Sequence, residues 1–137
     1  MEFNWEDNVC FVCGAKAPGL QVTFHADDRG VWAETAIQPP YQGFSGYVHG
    51  GILAGLLDDA MWHAIHQAHH VWPLTAELTV RYHRPVGIGQ TVRIHGWLTA
   101  VKRRILEAEA IVSTLDGERL ASAHGRFMER RGAGTGD

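Results

Sequence analysis

The chain has 137 residues, of which 45% are hydrophobic and 20% are charged, as in an ordinary globular domain. Its formal net charge of −3 gives no general attraction for nucleic acid or an anionic membrane, and no run of about 18 apolar residues predicts a membrane span. The length favours one domain over residues 1–137. The acidic N-terminus does not resemble a signal peptide, so a cytoplasmic location is expected.

Residues 1–19 are predicted to be irregular, and they contain the two cysteines of the chain. Cys10 and Cys13 have the Cys-x-x-Cys spacing of a zinc knuckle or a redox pair. A structural zinc site needs four ligands, yet no second pair follows at knuckle distance, and the βαβ context of a thioredoxin-like site is missing. The favoured interpretation is therefore two reduced thiols in a loop, with a metal site as the main alternative.

Two short strands and a flexible loop are predicted next. Residues 21–27 and 31–37 alternate between apolar and polar side chains, and the tripeptide Asp-Arg-Gly between them favours a turn. A Pro-Pro pair then ends the second strand. Residues 41–51 contain four glycines, which give this loop unusual backbone freedom.

A long helix is predicted from Gly51 to His69, because alanine, leucine and methionine dominate a segment longer than any strand. This helix is apolar around its circumference, which is typical of a helix inside a protein. It also carries the adjacent acids Asp58 and Asp59. Aspartate is rarely buried without a partner, so these two residues are the first candidates for a functional role.

The rest of the chain alternates with a period of two. Four further strands are predicted, at residues 74–82, 91–101, 105–112 and 119–129. In the first of them, Thr75 is predicted on the polar face with Glu77. Short connections favour antiparallel pairing, and the glycine-rich tail at residues 131–137 is predicted to be flexible. The element order predicts an α+β fold in which an antiparallel sheet wraps around one central helix.

One motif around the start of the helix has the form G-x-x-H-G-G-x-x-x-x-L-x-D-x-A-M. Its positions are Gly46, His49, Gly50, Gly51, Leu56, Asp58, Ala60 and Met61. With the strand TAELTVRYHRP that follows, the chain resembles the hotdog-fold thioesterases, particularly the branch of the phenylacetate-pathway acyl-CoA thioesterase. The resemblance implies hydrolysis of an acyl-CoA without a metal or cofactor. It also implies a homodimer whose sheets join edge to edge, often paired again into a tetramer, with active sites at the subunit interface.

Thioester hydrolysis needs a donor for the carbonyl oxygen and a group that activates water or attacks directly. Amides at a helix start are unsatisfied donors, and Gly50 and Gly51 lie there. The resemblance assigns the carbonyl to the Gly50 amide, positioning of the substrate to His49, and help with the attacking water to Thr75. Asp58 is the candidate general base or nucleophile. Each assignment also has a purely structural alternative. The two glycines would permit a sharp turn and His49 would cap the loop. Thr75 would be an ordinary strand threonine, and Asp58 a buried acid held by a backbone amide.

The remaining candidate substrate-binding residues are Gly51, Gln42, Gly43, Asp59, Trp62, Arg84, Lys102, Arg103 and Arg104. Gly43 departs from the family, in which many relatives carry Asn or Gln six residues before the histidine. Either Gln42 takes that role or the role is unfilled. The four basic residues are candidates for a patch that binds CoA phosphates, and a solvated turn is the alternative.

Two wider patterns stay open. Asp59 shares a helical stripe with three histidines, which is either the polar edge of the helix or a metal site. The members of that stripe are His63, His66 and His70. Four tryptophans either line an aromatic pocket or belong to the core, and they are Trp32, Trp62, Trp72 and Trp97.

The sequence therefore favours an acyl-CoA thioesterase. A hotdog domain that binds or senses an acyl thioester without hydrolysing it is the alternative, and the departure at Gly43 is its one support. A hydratase or dehydratase ranks last, because it needs a different arrangement of catalytic groups. The sequence does not identify the acyl group.

Overall fold

A computed structural model of the chain describes residues 8–130, so the predicted flexible tail at residues 131–137 and the first seven residues of the predicted irregular segment lie outside the described residues. The elements in chain order are β1 (His25–Asp27), β2 (Gly30–Ala36), α1 (Gly50–His69), β3 (Pro73–Tyr82), β4 (Thr91–Lys102), β5 (Ile105–Ser113) and β6 (Arg119–Glu129). In residues 8–130 we find no helix with the length and apolar character of a membrane span.

The strands form one antiparallel sheet in the order β1-β2-β4-β5-β6-β3, and α1 packs against its inner face. The predicted α+β fold, with an antiparallel sheet around one long helix, is confirmed. However, strands joined by a short connection are not always paired in the sheet. β3 pairs with β6 rather than with β4, because residues 83–90 carry the chain across the sheet instead of forming a hairpin. β3 is therefore an edge strand.

The first predicted strand is too long. β1 begins at His25 rather than at residue 21, since Gln21 has a φ of 55°, outside the extended region. Residues 20–22 instead hydrogen-bond to residues 8–19, which we call the N-terminal segment. The Leu20 amide donates to the Phe11 carbonyl at 2.7 Å, and the Val22 amide donates to the Val12 carbonyl at 2.7 Å. These bonds fold the N-terminal segment back onto the domain.

The N-terminal segment covers one side of α1. Phe11 and Val12 pack against Gly55, where an added Cβ would lie 3.0 Å from the Phe11 ring. The chain itself therefore covers a side of α1 that does not pack on the sheet. The stripe left half-buried on α1 contains Ala54, Asp58 and Trp62.

Helix and sheet lie in close contact at Gly96 on β4. A Cβ at this position would lie 2.7 Å from the Ala60 carbonyl oxygen and 3.1 Å from the Ala60 Cβ, so α1 can approach β4 this closely only above a glycine. The apolar side chains around this contact form one core shared by the helix and the sheet. Its members include Leu56, Leu57, Met61, Ile65, Val92, Ile94, Ala108, Ala110 and Phe127.

Replacing Gly96 by alanine is expected to lower the free energy of unfolding by about 1–3 kcal/mol, because the added methyl group pushes α1 away from the sheet. Gly87→Ala is the matched control, since the nearest atom to its Cβ would be 3.7 Å away, and it should change stability by less than about 0.5 kcal/mol. Urea denaturation at one protein concentration measures both. Equal stability of the two variants would contradict the close approach.

Candidate active site

A bulge in β3 sets the direction of Thr75. Thr75 lies opposite Phe127 and Glu77 lies opposite Arg126, so one extra residue separates the two pairs. Residues paired across two strands point to the same face of the sheet, and Phe127 is fully buried in the core. The prediction that Thr75 shares the polar face of Glu77 is therefore wrong: the bulge turns Thr75 inward, toward α1.

Asp58 and Thr75 are brought together by this arrangement. The Thr75 hydroxyl donates a hydrogen bond to the Asp58 Oδ1 at 2.7 Å. Burial raises the pKa of the Asp58 carboxyl above its ordinary value, the hydrogen bond from Thr75 opposes this shift, and the charge of Asp59 adds to it. A half-buried carboxylate of raised pKa, with one oxygen fixed by a hydroxyl, is a suitable proton acceptor.

The start of α1 offers one free amide rather than two. The His49 Nδ1 accepts a hydrogen bond from the Gly51 amide at 2.8 Å, so His49 caps the helix and occupies a donor that we expected to be unsatisfied. For the Gly50 amide we find no acceptor among residues 8–130. Gly50 also lines a cavity of about 460 Å³ with Phe44 and Tyr47. This amide can therefore receive an oxygen from a ligand.

Tyr82 is a residue of the site that sequence reasoning missed. Its hydroxyl donates to the Gly50 carbonyl at 2.7 Å and ties the end of β3 to the start of α1. The alternation of β3 does place Tyr82 on the same face as Leu78, so a helix-facing tyrosine could have been predicted. Its contact with the Gly50 carbonyl could not have been predicted, because that contact depends on where α1 begins relative to β3.

The loop before His49 has no amide side chain at the position where many relatives carry one. A Cβ on Gly43 would lie 3.3 Å from the His49 Cα, so the glycine packs directly on the residue that caps α1. Gln42 does not replace the missing group toward the helix, since its Oε1 accepts a hydrogen bond from the Gly46 amide at 3.0 Å. Gln42 thus holds the loop together.

One chain does not bring Gly50 and Asp58 together. They are eight residues apart on one continuous helix, which separates them by about 12 Å along its axis. Asp58 is not among the residues that line the cavity at Gly50. A thioester carbonyl is too small to reach both groups within one chain.

Asp59 faces away from Thr75. The residue is only 8% exposed, with its Oδ2 3.6 Å from the His63 Nε2 and its Oδ1 3.9 Å from the Cys10 Sγ. The interpretation of its stripe as a polar edge of the helix is therefore wrong at Asp59, because the N-terminal segment covers it. Burial and the charge of Asp59 raise the pKa of the Cys13 thiol, which disfavours a reactive redox thiol.

The four tryptophans do not line one pocket. Trp62 and Trp72 lie at the C-terminal end of α1, where both rings contact His66, and the Trp62 Nε1 donates to the Pro73 carbonyl at 2.9 Å. Trp32 and Trp97 belong to β2 and β4 instead, each beside a histidine of the sheet. Trp62 alone of the four shares the half-buried stripe with Asp58.

The predicted basic patch is divided between the two ends of the sheet. Arg84 hydrogen-bonds through its amide to Leu120 at the start of β6, whereas Arg104 bonds to Glu129 at its end. Nine residues of strand separate these positions by about 30 Å. Lys102 ends β4, and Arg103 and Arg104 form the turn between β4 and β5. These three residues and Arg84 therefore cannot act as one local patch within a chain.

The comparisons with known proteins agree with this architecture. The model of the thioesterase superfamily matches residues 45–121. A crystal structure of a thioesterase superfamily protein is 32% identical with a TM-score of 0.72, and the match covers 82% of this chain but only 57% of that one. A Bacillus halodurans protein crystallised with CoA is 28% identical with a TM-score of 0.72, over 82% of this chain and 76% of its own.

At lower identity the likeness shows the fold alone. The E. coli PaaI protein from the phenylacetic acid degradation operon is 16% identical with a TM-score of 0.71, over 79% of this chain and 82% of its own. The comparison with curated proteins gave no match.

Proposed function

Because this chain belongs to the thioesterase superfamily, we propose that it hydrolyses an acyl-CoA thioester. The observation that carries this proposal is the Asp58 carboxylate on the half-buried stripe of α1, which accepts a hydrogen bond from the Thr75 hydroxyl at 2.7 Å. A CoA thioester as the substrate is supported by the similar Bacillus halodurans protein, which was crystallised with CoA.

In the proposed reaction Asp58 acts as a general base. It accepts a proton from water as the hydroxide oxygen attacks the thioester carbon, and the Thr75 hydroxyl holds one carboxylate oxygen so that the other faces the water. The carbonyl oxygen becomes an oxyanion and accepts a hydrogen bond from the Gly50 amide at the positive end of α1. Collapse of the intermediate breaks the carbon–sulfur bond, and Asp58 returns the proton to the leaving CoA sulfur.

A complete site requires two protomers. The separation of about 12 Å along α1 excludes joint action by Gly50 and Asp58 of one chain. We place the carbonyl between Gly50 of one protomer and the partner subunit's Asp58. β3 is suited to this assembly, because it is an edge strand with large apolar side chains in solvent. Leu74 is 60% exposed and Tyr82 53% exposed. A dimer of dimers is compatible with the same interface.

Binding without hydrolysis is the second candidate function. It is favoured by Gly43, which packs on His49 and leaves no side-chain amide beside the helix start. If the oxyanion site needs that amide as well as Gly50, the chain would bind acyl-CoA and leave it intact. The two functions predict the same ligand and differ only in turnover.

Release of free CoA thiol from a panel of aliphatic and aromatic acyl-CoAs tests the proposal. We expect at least one class to be hydrolysed, and the thioether analogue of that acyl-CoA, which has no cleavable thioester, to inhibit competitively. Binding of acyl-CoA by calorimetry without thiol release would establish the second function. Neither binding nor release with any member of the panel would contradict both.

A further inference from the structure

Two thiols and a buried carboxylate meet where the N-terminal segment crosses α1. Cys10 and Cys13 lie on a tight turn closed by the Gly14 amide, which donates to the Cys10 carbonyl at 2.7 Å. A Cβ on Gly14 would lie 2.5 Å from that same oxygen, so the turn requires glycine. The turn directs both sulfurs to Asp59 in the middle of α1, away from Thr75 and the proposed catalytic groups.

The three groups have the spacing of a set of metal ligands. The two sulfurs and a carboxylate oxygen of Asp59 all lie within 4.8 Å of one another, and the Cys10 Sγ is 3.9 Å from the Asp59 Oδ1. In tetrahedral zinc sites, Zn–S bonds of about 2.3 Å hold neighbouring sulfurs about 3.8 Å apart. The ligands therefore need to close by about 1 Å or less to share one ion.

The carboxylate of Asp59 supplies an independent observation. Its Oδ2 is buried and has no hydrogen-bond partner within residues 8–130, although the His63 Nε2 stands 3.6 Å away. Burying a carboxylate in this way is unfavourable unless a charge compensates it. A divalent cation between Asp59 and the two sulfurs would provide that charge.

A buried side chain orients one of the two sulfurs. The buried Asn8 donates a hydrogen bond from its Nδ2 to the Cys13 Sγ at 3.3 Å, while its Oδ1 accepts from the Cys10 amide at 3.0 Å. Donors of this kind orient metal-bound sulfur and stabilise its negative charge. On its other side Cys13 borders a cavity of about 400 Å³ that is also lined by His63, which gives an ion a route in and a place for a fourth ligand.

From this geometry we infer that Cys10, Cys13 and Asp59 bind a divalent transition-metal ion, Zn²⁺ by the preference of its ligands. Each thiol loses its proton to solvent when the ion binds, and no electrons are transferred. The ion joins the N-terminal segment to α1 one residue beyond Asp58. The sequence alone favours two reduced thiols over a metal site for these cysteines, because no further cysteine pair follows nearby. The third ligand comes from 46 residues further along the chain.

Cobalt is the probe, because Co²⁺ replaces Zn²⁺ and reports thiolate ligands by its colour. The full chain, produced without a histidine tag and kept reduced, is titrated with Co²⁺. We expect one ion per chain, with a thiolate-to-cobalt charge-transfer band and the visible bands of tetrahedral Co²⁺, and displacement of both by Zn²⁺. This measurement needs no variant, so it does not depend on whether a variant folds.

Variants then assign the ligands. Cys10→Ser, Cys13→Ser and Asp59→Asn should each weaken Co²⁺ binding by at least about 10²-fold, whereas Asp58→Asn, which changes the neighbouring carboxylate, should bind as the wild type does. The inference is overturned if the reduced wild type gives no charge-transfer band. It is also overturned if Asp58→Asn and Asp59→Asn behave alike, or if mass spectrometry finds Cys10 and Cys13 joined in a disulfide in the freshly isolated protein.

Discussion

Replacing Asp58 by asparagine is expected to lower kcat for acyl-CoA hydrolysis about 10³-fold while acyl-CoA still binds. Asparagine has the same shape, and its side-chain oxygen can accept the hydrogen bond from Thr75, which in the wild type is 2.7 Å long. It cannot accept the proton of the attacking water. The loss should therefore appear in kcat, with binding of the thioether analogue unchanged.

Asp116→Asn is the matched control for this experiment, because it makes the same chemical change in the exposed turn between β5 and β6. It should retain the wild-type rate. Full activity in Asp58→Asn would contradict the assignment of the base. Circular dichroism of both variants separates a lost proton acceptor from a lost fold.

Removing the Gly50 amide is expected to lower kcat by about 10²–10³-fold, the typical effect of losing one oxyanion donor. Gly50→Pro does this with little change to the backbone, since Gly50 is the first residue of α1 and proline is favoured there. The preceding residue, His49, has φ −60° and ψ 136°, which is the conformation required before proline.

Gly50→Ala is the control, because it adds a Cβ at the same place and keeps the amide. That Cβ would be in ordinary contact with the Tyr82 ring at 3.5 Å, so we expect most of the activity to remain. Equal losses in the two variants would show that the space beside Tyr82 matters rather than the hydrogen bond.

The same two inactive variants test whether the site is shared between protomers. If Gly50 of one protomer works with the partner subunit's Asp58, a mixed dimer of Gly50→Pro and Asp58→Asn has one intact site. Random exchange of equal amounts makes half of the dimers mixed, so about a quarter of the wild-type activity should return. If both groups of a site came from one chain, mixing would restore nothing.

The fold was predictable because its strongest signals are local. The length and composition of α1 and the alternation of the later strands each indicate one structure. Asp58 is a candidate from the sequence because an acid in an apolar helix needs a partner or a function. The motif around His49 and Gly50 identified the family, which the match over residues 45–121 confirms.

The remaining details depend on contacts between distant segments. The sequence does not predict which face of β3 carries Thr75, because one unpaired residue at the bulge reverses the alternation of the strand. The burial of Asp59 follows from the path of the N-terminal segment, which no periodicity predicts. The separation of Arg84 from residues 102–104 follows from the strand order, in which β3 ends beside the start of β6.

The spacing of Gly50 and Asp58 on one helix also bears on cooperativity. α1 is a continuous rod of 20 residues, so its first residue and Asp58 move together. In the proposed dimer these residues belong to different sites, and any displacement of α1 by a ligand at one site shifts a catalytic group of the other. The two sites are thereby mechanically linked, and binding at either site must change the affinity of the other by the same factor.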